Sequence, residues 1–89
     1  MVYFLYILKS EVKETYYMGS SDDPSRRTYF HNNDSKGYTL RYRPWKLVFT
    51  KGFPNKDEAL AAEKKVKSWK SKKMIRLLIE EKIDLDDYL

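Results

Sequence analysis

The stretch from Val2 to Leu8, VYFLYIL, carries apolar and aromatic side chains without interruption. A run rich in β-branched and aromatic residues, with no polar alternation, reads as a strand buried on both faces. Strands alone cannot bury both faces of a small sheet, so helices must cover them. That requirement, set within the first eight residues, confines the chain to a mixed helix-and-sheet architecture.

The remaining sequence supplies the other elements. Ser10 to Glu14 is a polar break, and Thr15 to Met18 is a second short strand closing at Gly19, which suggests a hairpin. Asp23 can cap a helix and Pro24 fits its first turn, so a short helix is expected from about 24 to 32, ended by Asn32 and Asn33. Residues 33 to 43, NDSKGYTLRYR, have the composition of a loop. Trp45 to Lys51 is a third strand, entered through Pro44. Asn55 with Glu58 three residues later is a capping-box pattern, opening a helix that runs to about Trp69 or Lys70. Ser71 caps a last helix from about 72 to 82, with Ile75, Leu78 and Ile79 on its apolar face. IDLDDYL, 83–89, reads as an acidic tail. The expected fold is a small α/β (α+β) domain, order β-β-α-β-α-α, with a three-stranded, mainly antiparallel sheet flanked by helices. It is one domain over 1–89, its core at about 2–82.

Charge bears on partners. Eighteen Lys and Arg against thirteen Asp and Glu give a net +5, which favours a polyanion, nucleic acid ahead of an anionic membrane. The absence of cysteine excludes disulfides, thiolate metal sites and cysteine nucleophiles. The apolar run at the start has no basic region ahead of it and falls far short of the roughly 20 residues of a membrane span. A cytoplasmic protein is therefore expected.

Several residues stand out of place. On a helical wheel, Ala59, Ala62, Val66 and Trp69 form one apolar face with Leu60 on its flank, and Glu63 falls inside that arc, between Ala59 and Leu60. A carboxylate there is costly unless it is paired. It is a salt bridge to a core arginine, an edge residue that reaches out to solvent, or a metal ligand or catalytic acid. Arg27 and His31, at i and i+4, share a face of the first helix; on so polar a helix the plain expectation is that both are solvated, and the alternative is that they present themselves to a ligand. Eight tyrosines in 89 residues is a high count. Tyr6 and Tyr17 lie on neighbouring strands and can share a face, as aromatic packing or as part of a site. Gly19 either ends its strand or permits close approach of a ligand. The stretch YTLRYRPWK, 38–46, interleaves rings with Arg41, Arg43 and Lys46, which could pair with phosphates, as could Arg26.

In this order and spacing the residues resemble the GIY-YIG nuclease domain, and within it the small stand-alone bacterial (UPF0213-like) members. FLY at Phe4–Tyr6 resembles the first element and YMG at Tyr17–Gly19 the second. SRRT at 25–28 resembles the arginine segment, with Arg27 as its arginine, and His31–Asn32 the histidine and asparagine of many members. EALAAEKKVKSW resembles the acidic helix, with Glu63 as its glutamate, and YRPWKLV resembles the third strand. Phe4, Leu5 and Met18 depart from the glycine and isoleucines of the two name-giving elements. The resemblance implies a metal-dependent endonuclease hydrolysing DNA phosphodiester bonds, structure-selective and serving DNA repair or processing. It implies one divalent ion, Mg²⁺ or Mn²⁺, on Glu63, with Arg27 as the phosphate clamp. Tyr6 would be the base, and Tyr17 and His31 would assist in positioning or proton transfer. A nucleic-acid-binding module without turnover and a protein-interaction domain are the other readings.

Overall fold

The computed structural model describes residues 2–34 and 37–89. Strand β1 (Tyr3–Ser10) lies at the centre of a three-stranded sheet, between β2 (Tyr16–Ser21) and β3 (Trp45–Phe53), and pairs antiparallel with both. Its central place accounts for its unbroken apolar run. Leu5 and Ile7 point to one face and Tyr6 and Leu8 to the other, and all four are buried.

Each face has its own cover. Leu5 and Ile7 pack with Phe53, with Ala59, Ala62 and Val66 of α3 (Lys56–Ser68), and with Ile75 and Leu78 of α4 (Lys72–Ile79). Tyr6, Leu8 and Trp45 form a second cluster with Tyr17, Tyr42 and Leu47, on the side where α1 (Pro24–Asn33) lies against the sheet. The helix starts are those the sequence predicts. Asp23 accepts from the Arg26 amide, Asn55 from the Glu58 amide and Ser71 from the Met74 amide.

Four expectations change. β2 continues past Gly19 to Ser21 and β3 to the core residue Phe53, because pairing with β1 carries both strands on through polar and glycine positions. The first helix of the second half ends at Ser68 and the last at Ile79. The segment read as a loop holds a one-turn helix, α2 (Tyr38–Arg41). Thr39 is buried there, and its carbonyl accepts from the Trp45 indole N–H at 2.8 Å. Residues 35 and 36 of that segment, like Met1, lie outside the described residues. The acidic tail is no tail: Leu85–Tyr88 form a 3₁₀ turn, Leu85 is 1% exposed in the core beside Leu78, and the Tyr88 ring meets Trp69 at 5.1 Å. The aspartates hid this, since only every second or third residue of the segment is apolar. Among the described residues no helix is long and apolar enough to cross a membrane.

Candidate active site

The antiparallel register sets Tyr6 directly opposite Gly19. A β-carbon at position 19 would stand 2.6 Å from the Tyr6 hydroxyl and 2.7 Å from Cζ. Gly19 therefore neither ends its strand nor leaves space for a ligand. It lets the ring of Tyr6 lie across β2, which carries the phenol towards the open edge of the sheet.

Helix α1 meets that ring from above. His31 is 3% exposed, so it is a buried residue and not a solvated one. Its Nε2 shares a 3.2 Å hydrogen bond with the Tyr6 hydroxyl, and its ring lies 4.5 Å from that of Tyr17. The Tyr6 and Tyr17 rings are 6.5 Å apart. Arg27, one turn before His31, lies near enough to the Tyr6 hydroxyl to lower its pKa and stacks its guanidinium on Phe30 at 4.5 Å. Burial pushes the Tyr6 phenol above its ordinary 10.0, an effect that the neighbouring Arg27 opposes. Burial first, and then the charge of Arg27, pull His31 below 6.5. At neutral pH the pair is thus a protonated phenol beside an uncharged imidazole. Tyr17, Arg27, Phe30, His31 and Tyr38 line an open cleft of about 470 Å³.

Glu63 approaches from the opposite face. Ser20 pairs with Leu5 and so points towards α3. Its hydroxyl donates to Glu63 Oε1 at 2.7 Å, while Lys67 Nζ donates to Oε2 at 2.6 Å. The carboxylate is largely buried, its side chain 17% exposed. Of the readings open in the sequence, the core arginine is replaced by a lysine one turn along α3. Two half-sites therefore meet at Gly19 and Ser20 of β2, the edge strand. Tyr6, Arg27 and His31 lie on one face and Glu63 on the other. They are close enough that the Glu63 charge contributes to raising the Tyr6 pKa.

The expected nucleic-acid contacts disperse. Arg26 is exposed and pairs with Asp22 at 3.3 Å. Arg41 is exposed at the end of α2. Arg43 donates to the Asn32 carbonyl at 2.8 Å, tying the segment before β3 to α1. Lys46 pairs with Lys9, which has the parity of Ile7, so it lies on the face away from Tyr6. Asn32 works as a clamp: Oδ1 accepts from the Trp45 amide at 2.6 Å and Nδ2 donates to the Trp45 carbonyl at 3.0 Å. Sequence reasoning missed Ser20, Lys67, Phe30 and Tyr38. Lys67 was visible as the i+4 partner of Glu63, and Phe30 as a neighbour of Arg27 on the same turn. Ser20 and Tyr38 depend on register and on α2, which the sequence did not reveal. The Tyr38 hydroxyl shares a hydrogen bond with Thr15, pinning α2 to β2.

A metal can be tested against the donor set. Among the described residues no group of three His, Cys, Asp or Glu could hold an ion. A single carboxylate, firmly oriented by Ser20, fits a hard divalent ion that keeps most of its water and shares a substrate phosphate. Lys67 supplies a positive charge at the same carboxylate and would have to yield one oxygen.

Comparison with known proteins gives a consistent picture. The family model described as the GIY-YIG catalytic domain matches residues 2–76. The chain is 45% identical over 69 residues to a "Structure-specific endonuclease subunit slx1" of Schizosaccharomyces japonicus, a match covering 71% of this chain and 25% of that protein. The chain spans about a quarter or less of the endonuclease subunits it matches in this way. It is 39% identical over 82 residues to the UPF0213 protein YazA of Bacillus subtilis, covering 90% of this chain and 80% of that one. The solution structure of the UPF0213 protein BH0048 from Bacillus halodurans superposes with a TM-score of 0.53 at 30% identity, over 88% of this chain and 83% of that one.

Proposed function

Because this chain belongs to the GIY-YIG catalytic-domain family, we propose that it is an endonuclease that hydrolyses phosphodiester bonds in DNA, with branched or otherwise structured DNA as its substrate. The observation that carries this is the meeting of Tyr6, Arg27 and His31 with Glu63 across one edge strand. The preference for structured DNA draws support from the similarity to structure-specific endonuclease subunits.

A phosphate entering the cleft meets Arg27 first. The guanidinium, held over Phe30, clamps its oxygens and opposes the negative charge that grows during attack. The Tyr6 hydroxyl orients the attacking water, and His31, uncharged and hydrogen-bonded to that hydroxyl, is the group beside it able to hold a proton. Tyr17 walls the cleft and fixes the imidazole ring. A divalent ion at Glu63, one Mg²⁺ or Mn²⁺, would supply charge neutralisation at the phosphate and the leaving oxygen. Ser20 keeps the carboxylate aimed at that position. A phenol shifted above 10.0 keeps its proton and is a poor base in the free protein, so Tyr6 can give up that proton, and then accept one from water, only when cationic charge gathers around it.

The test is a cleavage screen with Mg²⁺ or Mn²⁺ over flapped, nicked, junction and linear DNA, wild type beside Glu63→Ala and Arg27→Ala. Cleavage of branched substrates by wild type alone is the expected result. No cleavage by wild type removes the nuclease reading and leaves a module that binds without turnover; cleavage that survives Glu63→Ala removes the site built around Glu63.

A further inference from the structure

We propose that the groove between β2 and the turn joining α3 to α4 is a second phosphate track, which holds the DNA backbone beside the bond that is cut. It rests on the nuclease reading and adds to it the path of the substrate. The groove, of about 270 Å³, has an apolar floor of Met18, Val66 and Ile75, and its rim carries Lys67, Lys70 and Lys72. Ammonium groups along the rim of an open channel suit a phosphodiester backbone and give no base readout.

Three observations point to this occupant. First, the groove is continuous with the site, since Lys67 lines it and also donates to Glu63. Second, Lys70 has φ 48°, in the left-handed region that favours glycine. A lysine there is an unfavourable choice for the turn, which is explained if its charge is what matters. Among the described residues Lys70 takes part in no ion pair, and neither do Lys64 and Lys73, which extend the positive surface along α3 and α4. Third, the nearby carboxylate of Glu14 is engaged by Lys9 and Arg76, at 3.7 and 3.8 Å, and by the Tyr16 hydroxyl. Lys72 donates to the Glu14 carbonyl and not to its carboxylate. Lys67 is paired with Glu63, but the charges of Lys70 and Lys72 are not cancelled from within.

The experiment uses the full chain and a fluorescein-labelled flapped duplex in EDTA, so that binding is read without turnover. Anisotropy is measured across a salt series for wild type, Lys70→Gly and Lys72→Gln. Each variant should lower the slope of log affinity against log salt by about 0.9 and weaken binding about fivefold at 0.15 M salt. Lys70→Gly should melt at or above the wild-type temperature, because glycine relieves the backbone, so weaker binding cannot come from a damaged fold. Wild-type slopes in both variants overturn the track, even if the enzyme cuts DNA. Weakened variants beside a wild type that cuts nothing in Mg²⁺ leave the track standing and remove only the nuclease reading.

Discussion

The hydroxyl of Tyr6 lies across the backbone of Gly19, so close that a β-carbon at position 19 would be 2.6 Å from it. Side-chain volume at one residue therefore decides where the phenol of the other can go. Gly19→Ala should force the Tyr6 ring out of its place, at a cost of about 1–3 kcal/mol for overpacking. Ring carbon Cζ would be 2.7 Å away as well, so Tyr6→Phe should not rescue it, whereas Tyr6→Ala should recover part of the loss. Urea unfolding of the four proteins in a double-mutant cycle measures this, and additive losses would show that the two positions do not share space.

His31 should make stability depend on pH in one direction. Its folded pKa lies below the ordinary 6.5, owing to burial and the charge of Arg27. Below 6.5 the unfolded chain binds a proton that the folded chain refuses, so stability is complete above 6.5 and falls as pH drops towards the folded value. Tyr6 gives the mirror case. Its folded pKa lies above 10.0, so its contribution is complete below 10.0 and lost as pH rises further. Chemical unfolding from pH 8 down to 5, wild type beside His31→Gln, should show the acid slope flattened in the variant. Equal slopes would mean that His31 is solvated.

Glu63→Gln should separate chemistry from folding. The ion pair with Lys67 is an i,i+4 contact whose lysine is half exposed, and such pairs contribute about 0.3–0.5 kcal/mol. Glutamine can still accept from Ser20, so the melting temperature should move by only a few degrees. Cleavage should fall to background. A large loss of stability would mean that the carboxylate is chiefly structural, and its apparent role in cleavage would then need another explanation.

The sequence disclosed the sheet and the principal helices because their signals are local. An unbroken apolar run, a proline after a capping aspartate and the Asn55–Glu58 pair each declare themselves within a few residues. Of the site, Tyr6, Tyr17, Arg27, His31 and Glu63 were nameable from motif order, and the structure groups Tyr6, Tyr17, Arg27 and His31 about one cleft and sets Glu63 behind the same strand edge. What stayed hidden depends on non-local pairing. Ser20 matters only because register turns it towards α3. Thr39 is buried where α2 brings its carbonyl to the Trp45 indole. Leu85 looked like part of an acidic tail because two aspartates follow it, although its own side chain completes the core. Arg43, expected as a phosphate contact, holds the end of α1 through a bond the sequence did not reveal.

Asn32 tests whether holding the end of α1 is enough to hold the site. Its amide makes both hydrogen bonds of a backbone partner to Trp45, at 2.6 and 3.0 Å, where β3 begins. It follows His31 directly, so slack at position 32 passes to the imidazole and from there to the Tyr6 hydroxyl. Asn32→Ala removes both bonds and leaves the Trp45 amide and carbonyl to find other partners, at a cost of about 1–3 kcal/mol if they stay buried. Asn32→Asp keeps the acceptor and loses the donor, so its cost should be smaller. Because Asn32 does not line the cleft, a positioning role predicts a fall in kcat with little change in KM, and a Tyr6–His31 pair whose NMR signals broaden or shift. Unfolding curves beside steady-state kinetics at a temperature where every variant is folded decide the point. A stability loss with kcat unchanged would confine Asn32 to the fold, and the site would then be held by its own contacts alone.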